Sequence, residues 1–297
     1  MLGGLLRLMR PKQWTKNLLV FAALIFTKGW EQSWAVQQAL LAFAAMALVS
    51  SATYVFNDLR DLDRDRKHPV KQRRPIASGL VPPSVALPFG IVLLAGGFAL
   101  GWTVGKGAAT ILAVYVALQV IYNLGLKRVP VADVFLLSLG FVLRAALGAA
   151  AIAVVISGWL LFCTGALALL LGFGKRRQEY LAQGAARVES RESLGGYTRE
   201  ALDALLLMAA TGAAMCYGVY SVESPTARAY PSLILTSPFV FYGITRYVFL
   251  VFSREEGGEP ENLLFRDAHL LFSIVGFLAA ALLAMSGFHL PLVEVKG

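Results

Sequence analysis

Apolar residues in this chain come in runs of about twenty, and nine such runs account for most of its length. A run of that length is what an α-helix needs to cross the hydrocarbon core of a bilayer. In that medium only helices and closed barrels satisfy every backbone polar group. The runs fall at about 14–29, 34–56, 84–104, 108–125, 131–151, 158–174, 202–221, 231–252 and 269–290. The pattern therefore predicts an all-α polytopic membrane protein, residues 1–297 forming a single integral domain. With 57% hydrophobic and only 15% charged residues, the chain departs from the composition of a soluble domain. No cleavable leader is expected, because the first run is followed by further spans.

Lys and Arg placement sets an expected orientation. Counted with the N-terminus inside, the inner segments hold 21 Lys and Arg and the outer ones 4. The positive-inside rule then predicts a multi-pass plasma-membrane protein with a cytoplasmic N-terminus. It also places both long charged loops, 57–83 and 175–201, on the cytoplasmic side. The net charge of +9 suits anionic lipids or anionic substrates at that surface. Nucleic acid is not an expected partner, because the charge sits in short loops between spans.

The most informative polar stretch is NDLRDLDRDRKHPVKQRRPIASG, residues 57–79, directly after the second run. Asp58, Asp61 and Asp65 are spaced i, i+3, i+7. At roughly 100° per residue they fall within an arc of about 60° on a helix, with Asp63 on the far side. Three carboxylates on one face repel one another unless a cation sits among them. A hard divalent ion takes oxygen ligands from a few carboxylates and substrate phosphates. The expectation is a Mg²⁺–diphosphate site, with Mn²⁺ as the alternative ion and Asn57 as a neutral oxygen ligand. Lys71, Arg73 and Arg74 follow, and the Pro75–Gly79 bend can return them toward the acidic face. Guanidinium forks suit phosphate oxygens.

Other charged positions are candidates for substrate phosphates. Tyr122 and Lys127 lie at the inner end of the fourth run, although a Lys and a Tyr there also serve as interfacial anchors. Lys175, Arg176, Arg177, Glu179 and Tyr180 end the sixth run. Three bases to one acid predict an anion clamp rather than a second metal site. Lys16, ahead of the first run, is a further candidate contact. Arg144 lies deep in the fifth run, where a charge is costly and faces a polar cavity or a partner. Asp133 is its candidate structural partner. Arg246 poses the same question in the eighth. The three histidines show no metal-ligand spacing, and Cys163 and Cys216 read as small buried residues.

The nine runs with N-D-x-x-D-x-x-x-D after the second resemble the UbiA-type intramembrane prenyltransferase superfamily, over essentially the whole chain. The segment RPIASG at 74–79 matches that family's usual R-P-x-x-S-G. Where typical members carry a second Asp-rich motif, this chain has GKRRQEY at 174–180. With YNLGLKR at 122–128 and FVLRAALGAA at 141–150, it resembles the decaprenyl-phosphate phosphoribosyltransferase branch. That resemblance implies phosphoribosyl diphosphate (PRPP) as donor and a polyprenyl phosphate in the membrane as acceptor. It implies a lipid-linked precursor of cell-wall arabinan as product. It also implies that Asp58, Asp61 and Lys127 carry the chemistry. An aromatic prenyltransferase shares the fold and the first motif and is the alternative. Association of several copies is left open.

Overall fold

The computed structural model describes residues 2–67, 70–184, 191–258, 263 and 266–288. His68, His289, part of the 175–201 loop and the end of the ninth run lie outside them. The described residues fold as helices and turns without strands. In chain order the α-helices are α1 (Leu2–Met9), α2 (Ala22–Phe26), α3 (Ser33–Arg60), α4 (Leu62–Lys67), α5 (Pro83–Val104) and α6 (Lys106–Leu124). They continue with α7 (Ala132–Ala151), α8 (Gly158–Gln183), α9 (Arg199–Glu223), α10 (Pro225–Ala229), α11 (Ser237–Ser253) and α12 (Ala268–Met285).

Eight segments among the described residues are long and apolar enough to span: α3, α5, α6, α7, α8, α9, Pro231–Ser253 and α12. They coincide with eight of the nine predicted runs. The run at 14–29 differs. It is a 3-10 helix over Pro11–Phe21 followed by the short α2. A 3-10 helix rises about 2.0 Å per residue against about 1.5 Å for α, so this thinner segment still reaches roughly 30 Å. A tight contact accompanies the narrower form. The backbone carbonyl of Val20 lies against Gly148 of α7, where any side chain would collide with it.

The chain divides into two compact units. The first comprises Met1–Leu124 and Leu143–Val155, the second Gly125–Val142 and Ile156–Gly297. In the first, α3 and α5 pack closely because Gly97 stands where a Cβ would lie 2.6 Å from Val49. Its core gathers Leu8, Ala52, Val55, Ile76, Val81 and Ala86. In the second, Leu170, Phe173, Leu194, Leu202, Leu206 and Leu250 are fully or almost fully buried in one cluster. There α8 runs on to Gln183, nine residues beyond the predicted run, and stops at Gly184 in a positive-φ conformation (φ 48°). Nothing in KRRQEYLAQ breaks a helix, and its arginines find carboxylates in the fold. Both cysteines are free thiols.

Candidate active site

In the first unit the acid motif spans two helices. α3 ends at Arg60, the Asp61 backbone leaves the helical region, and α4 restarts the turn with Asp65 N–H donating to the Asp61 carbonyl at 2.8 Å. Asp58 and Asp65 are each 2% exposed, and Asp61 is half-buried. Asp63 is exposed and lies 3.9 Å from Arg66.

The cations that offset this buried charge are arginines. One Nη of Arg74 donates to Asp58 at 3.0 Å and to Asp65 at 2.6 Å. Arg10 donates to Asp58 at 2.5 Å and stacks over the Tyr54 ring. The three acids were expected to converge on a metal. Among the described residues, no group of three His, Cys, Asp or Glu side chains does so. Asp58 and Asp65 are bridged by Arg74.

The local sequence explains how both arginines arrive. After Arg74, Pro75 and Gly79 (φ 80°) close a turn in which Val81 N–H donates to the Pro75 carbonyl at 2.9 Å. Ile76 and Val81 bury completely, so the expected return of a basic side chain is anchored by core packing. Arg73 is exposed and Lys71 half-buried. α1 lies on this turn through Gly4 and Leu8. Arg10 then adopts a left-handed backbone (φ 52°) that turns the chain into the 3-10 helix. Its signal in the sequence was weak, a lone base ahead of Pro11.

Arg144 is 5% exposed. Its Nε donates to Asn17 Oδ1 at 2.8 Å and an Nη to Tyr115 Oη at 3.2 Å. Asn17 in turn meets Ser50 of α3 at 3.5 Å. Asp133, the candidate partner, is engaged elsewhere in the second unit. Lys16 is half-buried, as is Tyr122 at the end of α6.

The second unit corrects the expected anion clamp. Arg176 is 3% exposed, holds Glu179 at 2.6 Å and lies 3.9 Å from Asp133. Arg177 is buried, with Asp203 at 2.5 Å and the Val251 carbonyl at 3.0 Å. Arg191 approaches both Asp133 (3.6 Å) and Glu179 (3.5 Å). Counting bases against acids along the helix missed Asp133 and Asp203, which distant segments bring in. Lys175 remains exposed, and Lys127 and Tyr180 are half-buried. Arg246 of α11 has its own bidentate partner, Asp267 at 2.7 and 3.1 Å. That guanidinium holds the Asp267 carboxyl down to about 2.

Asp133 is fully buried and accepts from Ser193 at 2.9 Å and Tyr197 at 2.8 Å. The Tyr197 oxygen also receives the Val131 N–H at 2.5 Å. Val131 has a φ of 67°, which is strained for a β-branched residue. Burial and the Asp133 carboxylate raise the Tyr197 phenol well above its ordinary pKa, so it stays a donor. Tyr197→Phe should cost about 1–3 kcal/mol, because Asp133 and Val131 lose a buried partner. Limited proteolysis within 191–197 reads the effect, and unchanged cleavage would show that this segment is held otherwise.

Comparison with known proteins follows the same lines. The model of the UbiA prenyltransferase family matches residues 17–266. A decaprenyl-phosphate phosphoribosyltransferase of Mycolicibacterium smegmatis is 31% identical, covering 95% of this chain and 93% of its own. One of Corynebacterium glutamicum is 35% identical, over 89% and 81% respectively. Among solved structures, a UbiA homolog from Archaeoglobus fulgidus bound to GPP and Mg²⁺ superimposes with a TM-score of 0.75. It is 19% identical, with 95% of this chain and 99% of that one covered.

Proposed function

The chain belongs to the UbiA prenyltransferase family, and on that premise we propose that it transfers 5-phosphoribose from PRPP to a polyprenyl phosphate. The observation that carries this reading is the buried Asp58–Arg74–Asp65 cluster, with Arg10 on Asp58. It joins carboxylates that suit a metal to guanidinium groups that suit phosphate, at one end of an apolar bundle. The phosphoribosyltransferase relatives, similar along nearly the whole chain, support the choice of donor and acceptor. The basic excess of the charged loops supports an N-terminus and a site on the cytoplasmic side.

The donor chemistry of the site fits Mg²⁺. One or two carboxylates with phosphate oxygens and waters suffice for that ion, so a triad is not required. One or two of Asp58, Asp61 and Asp65, with Asn57 as a neutral oxygen, would hold it. When bound, the ion offsets charge that develops on the diphosphate.

The side chains do the rest. Arg74 and Arg10 give up their hold on Asp58 in favour of the donor's diphosphate oxygens, keeping their charge in the site. Stabilising the leaving diphosphate favours cleavage of its bond to C1 as the ribose becomes oxocarbenium-like. An oxygen of the polyprenyl phosphate forms the new bond to C1 from the opposite face, and diphosphate departs. That oxygen is already anionic near neutral pH, so no strong general base is needed. Lys71, Arg73, Tyr122 and Lys16 are further contacts in the first unit. In the second, Lys127 and Lys175 are the cations offered to phosphate oxygens, while Arg176, Glu179 and Tyr180 hold the helix end that carries Lys175. The product would feed cell-wall arabinan synthesis.

The decisive assay incubates purified protein with labelled PRPP and polyprenyl phosphate, beside a parallel reaction of prenyl diphosphate with 4-hydroxybenzoate. Label should enter lipid only in the first, and EDTA should abolish the transfer until Mg²⁺ is restored. Product in the second alone would replace this reading with aromatic prenyl transfer.

A further inference from the structure

α1 stands ahead of every span, and only one of its faces is used by the core. Gly4 and Leu8 face the first unit: a Cβ at Gly4 would lie 2.7 Å from Val81, and Leu8 is fully buried. Leu2 and Leu6, spaced i, i+4, form a separate stripe of the helix. They are 77% and 55% exposed. Leu80, which packs beside Gly4, is exposed as well.

Depth and charge together indicate what covers this stripe. The Ser51 hydroxyl of α3 is within hydrogen-bond reach of the Met9 carbonyl, at 2.8 Å, and the Trp14 indole N–H donates to the same hydroxyl at 3.1 Å. Ser51 lies six residues before Asn57, where the polar end of α3 begins. At about 1.5 Å per residue, the end of α1 is therefore held roughly 9 Å toward the hydrocarbon from that level. An amphipathic helix lying in a bilayer interface sits about 5–10 Å into the boundary between headgroups and acyl chains. Trp is enriched at the same level. Beside the leucines, Arg7 and Lys12 are exposed, and no Asp or Glu precedes Glu31. A two-fold contact between copies of the chain would set this basic edge against itself. Anionic headgroups complement it instead.

We infer that α1 is an in-plane interfacial helix that binds anionic phospholipid. Leu2 and Leu6 enter the acyl boundary, and Arg7 and Lys12 take the lipid phosphates. The inference is independent of the group the enzyme transfers. It reaches the site only through the backbone: Arg10 follows Met9 directly, and its left-handed turn begins where α1 is seated.

The test places a bimane fluorophore on Leu6→Cys of the full chain, in a Cys163→Ala, Cys216→Ala background, in phosphatidylcholine nanodiscs. Brominated lipid quenches it from the acyl region and acrylamide from water. Val92→Cys on α5 and Asp63→Cys, both at exposed positions, carry the same fluorophore in the same background as lipid and water references. If the background perturbs the fold, these two references lose their contrast. Position 6 should be quenched by brominated phosphatidylcholine, as position 92 is, and shielded from acrylamide relative to position 63. Brominated phosphatidylglycerol at the same mole fraction should associate about fivefold more strongly. Arg7→Gln with Lys12→Gln should abolish that preference while leaving quenching by brominated phosphatidylcholine unchanged. Acrylamide quenching equal to that at position 63 would put α1 in water. Shielding from both quenchers would mean that a second copy covers it. Either result, or equal quenching by the two lipids, would overturn the assignment.

Discussion

Asp58→Asn should lower phosphoribosyl transfer by about 10²–10³-fold, the usual scale for removing one preorganised electrostatic contact from a site. The substitution keeps the shape and one oxygen acceptor but removes the charge that both Arg10 and Arg74 face. Both arginines are 26% exposed, so water can take over part of their solvation. The expected stability loss is therefore modest, about 1 kcal/mol, and the protein should remain monodisperse in detergent. Activity would be followed as label entering lipid, with size-exclusion profiles recorded in parallel. A variant within twofold of the parent would remove Asp58 from the chemistry. Asp63→Asn is the internal control: its carboxylate is 94% exposed and should be dispensable.

Gly148→Ala should be the most damaging single methyl group in the first unit. Its Cβ would collide with the Val20 carbonyl, which belongs to the backbone and has no rotamer to yield. Overpacking of this kind costs about 1–3 kcal/mol and occasionally more. The damage should also reach Arg144, because Val20 and Asn17 lie about one turn apart on the displaced segment. Thermal unfolding in detergent would show a lowered midpoint. Gly96→Ala provides the comparison, since its Cβ would make only an ordinary contact with Leu48 at 3.7 Å. It should be neutral or slightly stabilising through helix propensity. Equal midpoints for the two variants would mean that the 3-10 segment can move freely away from α7.

Most of the helical framework was legible because hydropathy acts locally: a bilayer-length apolar run is helical whatever it touches. Eight spans were readable in this way. The first run was not, since its 3-10 form goes with a close approach to a glycine more than a hundred residues away. The acid motif was legible as a cluster, but its counter-charge was not. Arg74 could be anticipated from the Pro–Gly bend, whereas nothing in the sequence singled out Arg10. In GKRRQEY the chain order suggested surplus positive charge. The fold supplies Asp133 and Asp203, turning Arg176 and Arg177 into structural pairs.

The sequence alone determined the membrane class, eight of the nine predicted spans found among the described residues, and the acidic turn that ends the second run. These follow from periodicities of a few residues. Tertiary structure alone decided which polar partners the buried charges meet. Ion pairing and hydrogen bonding depend on distances between segments remote in the chain. Arg144 found Asn17 and Tyr115, Asp133 found Tyr197 and Ser193, and Asp58 found two arginines.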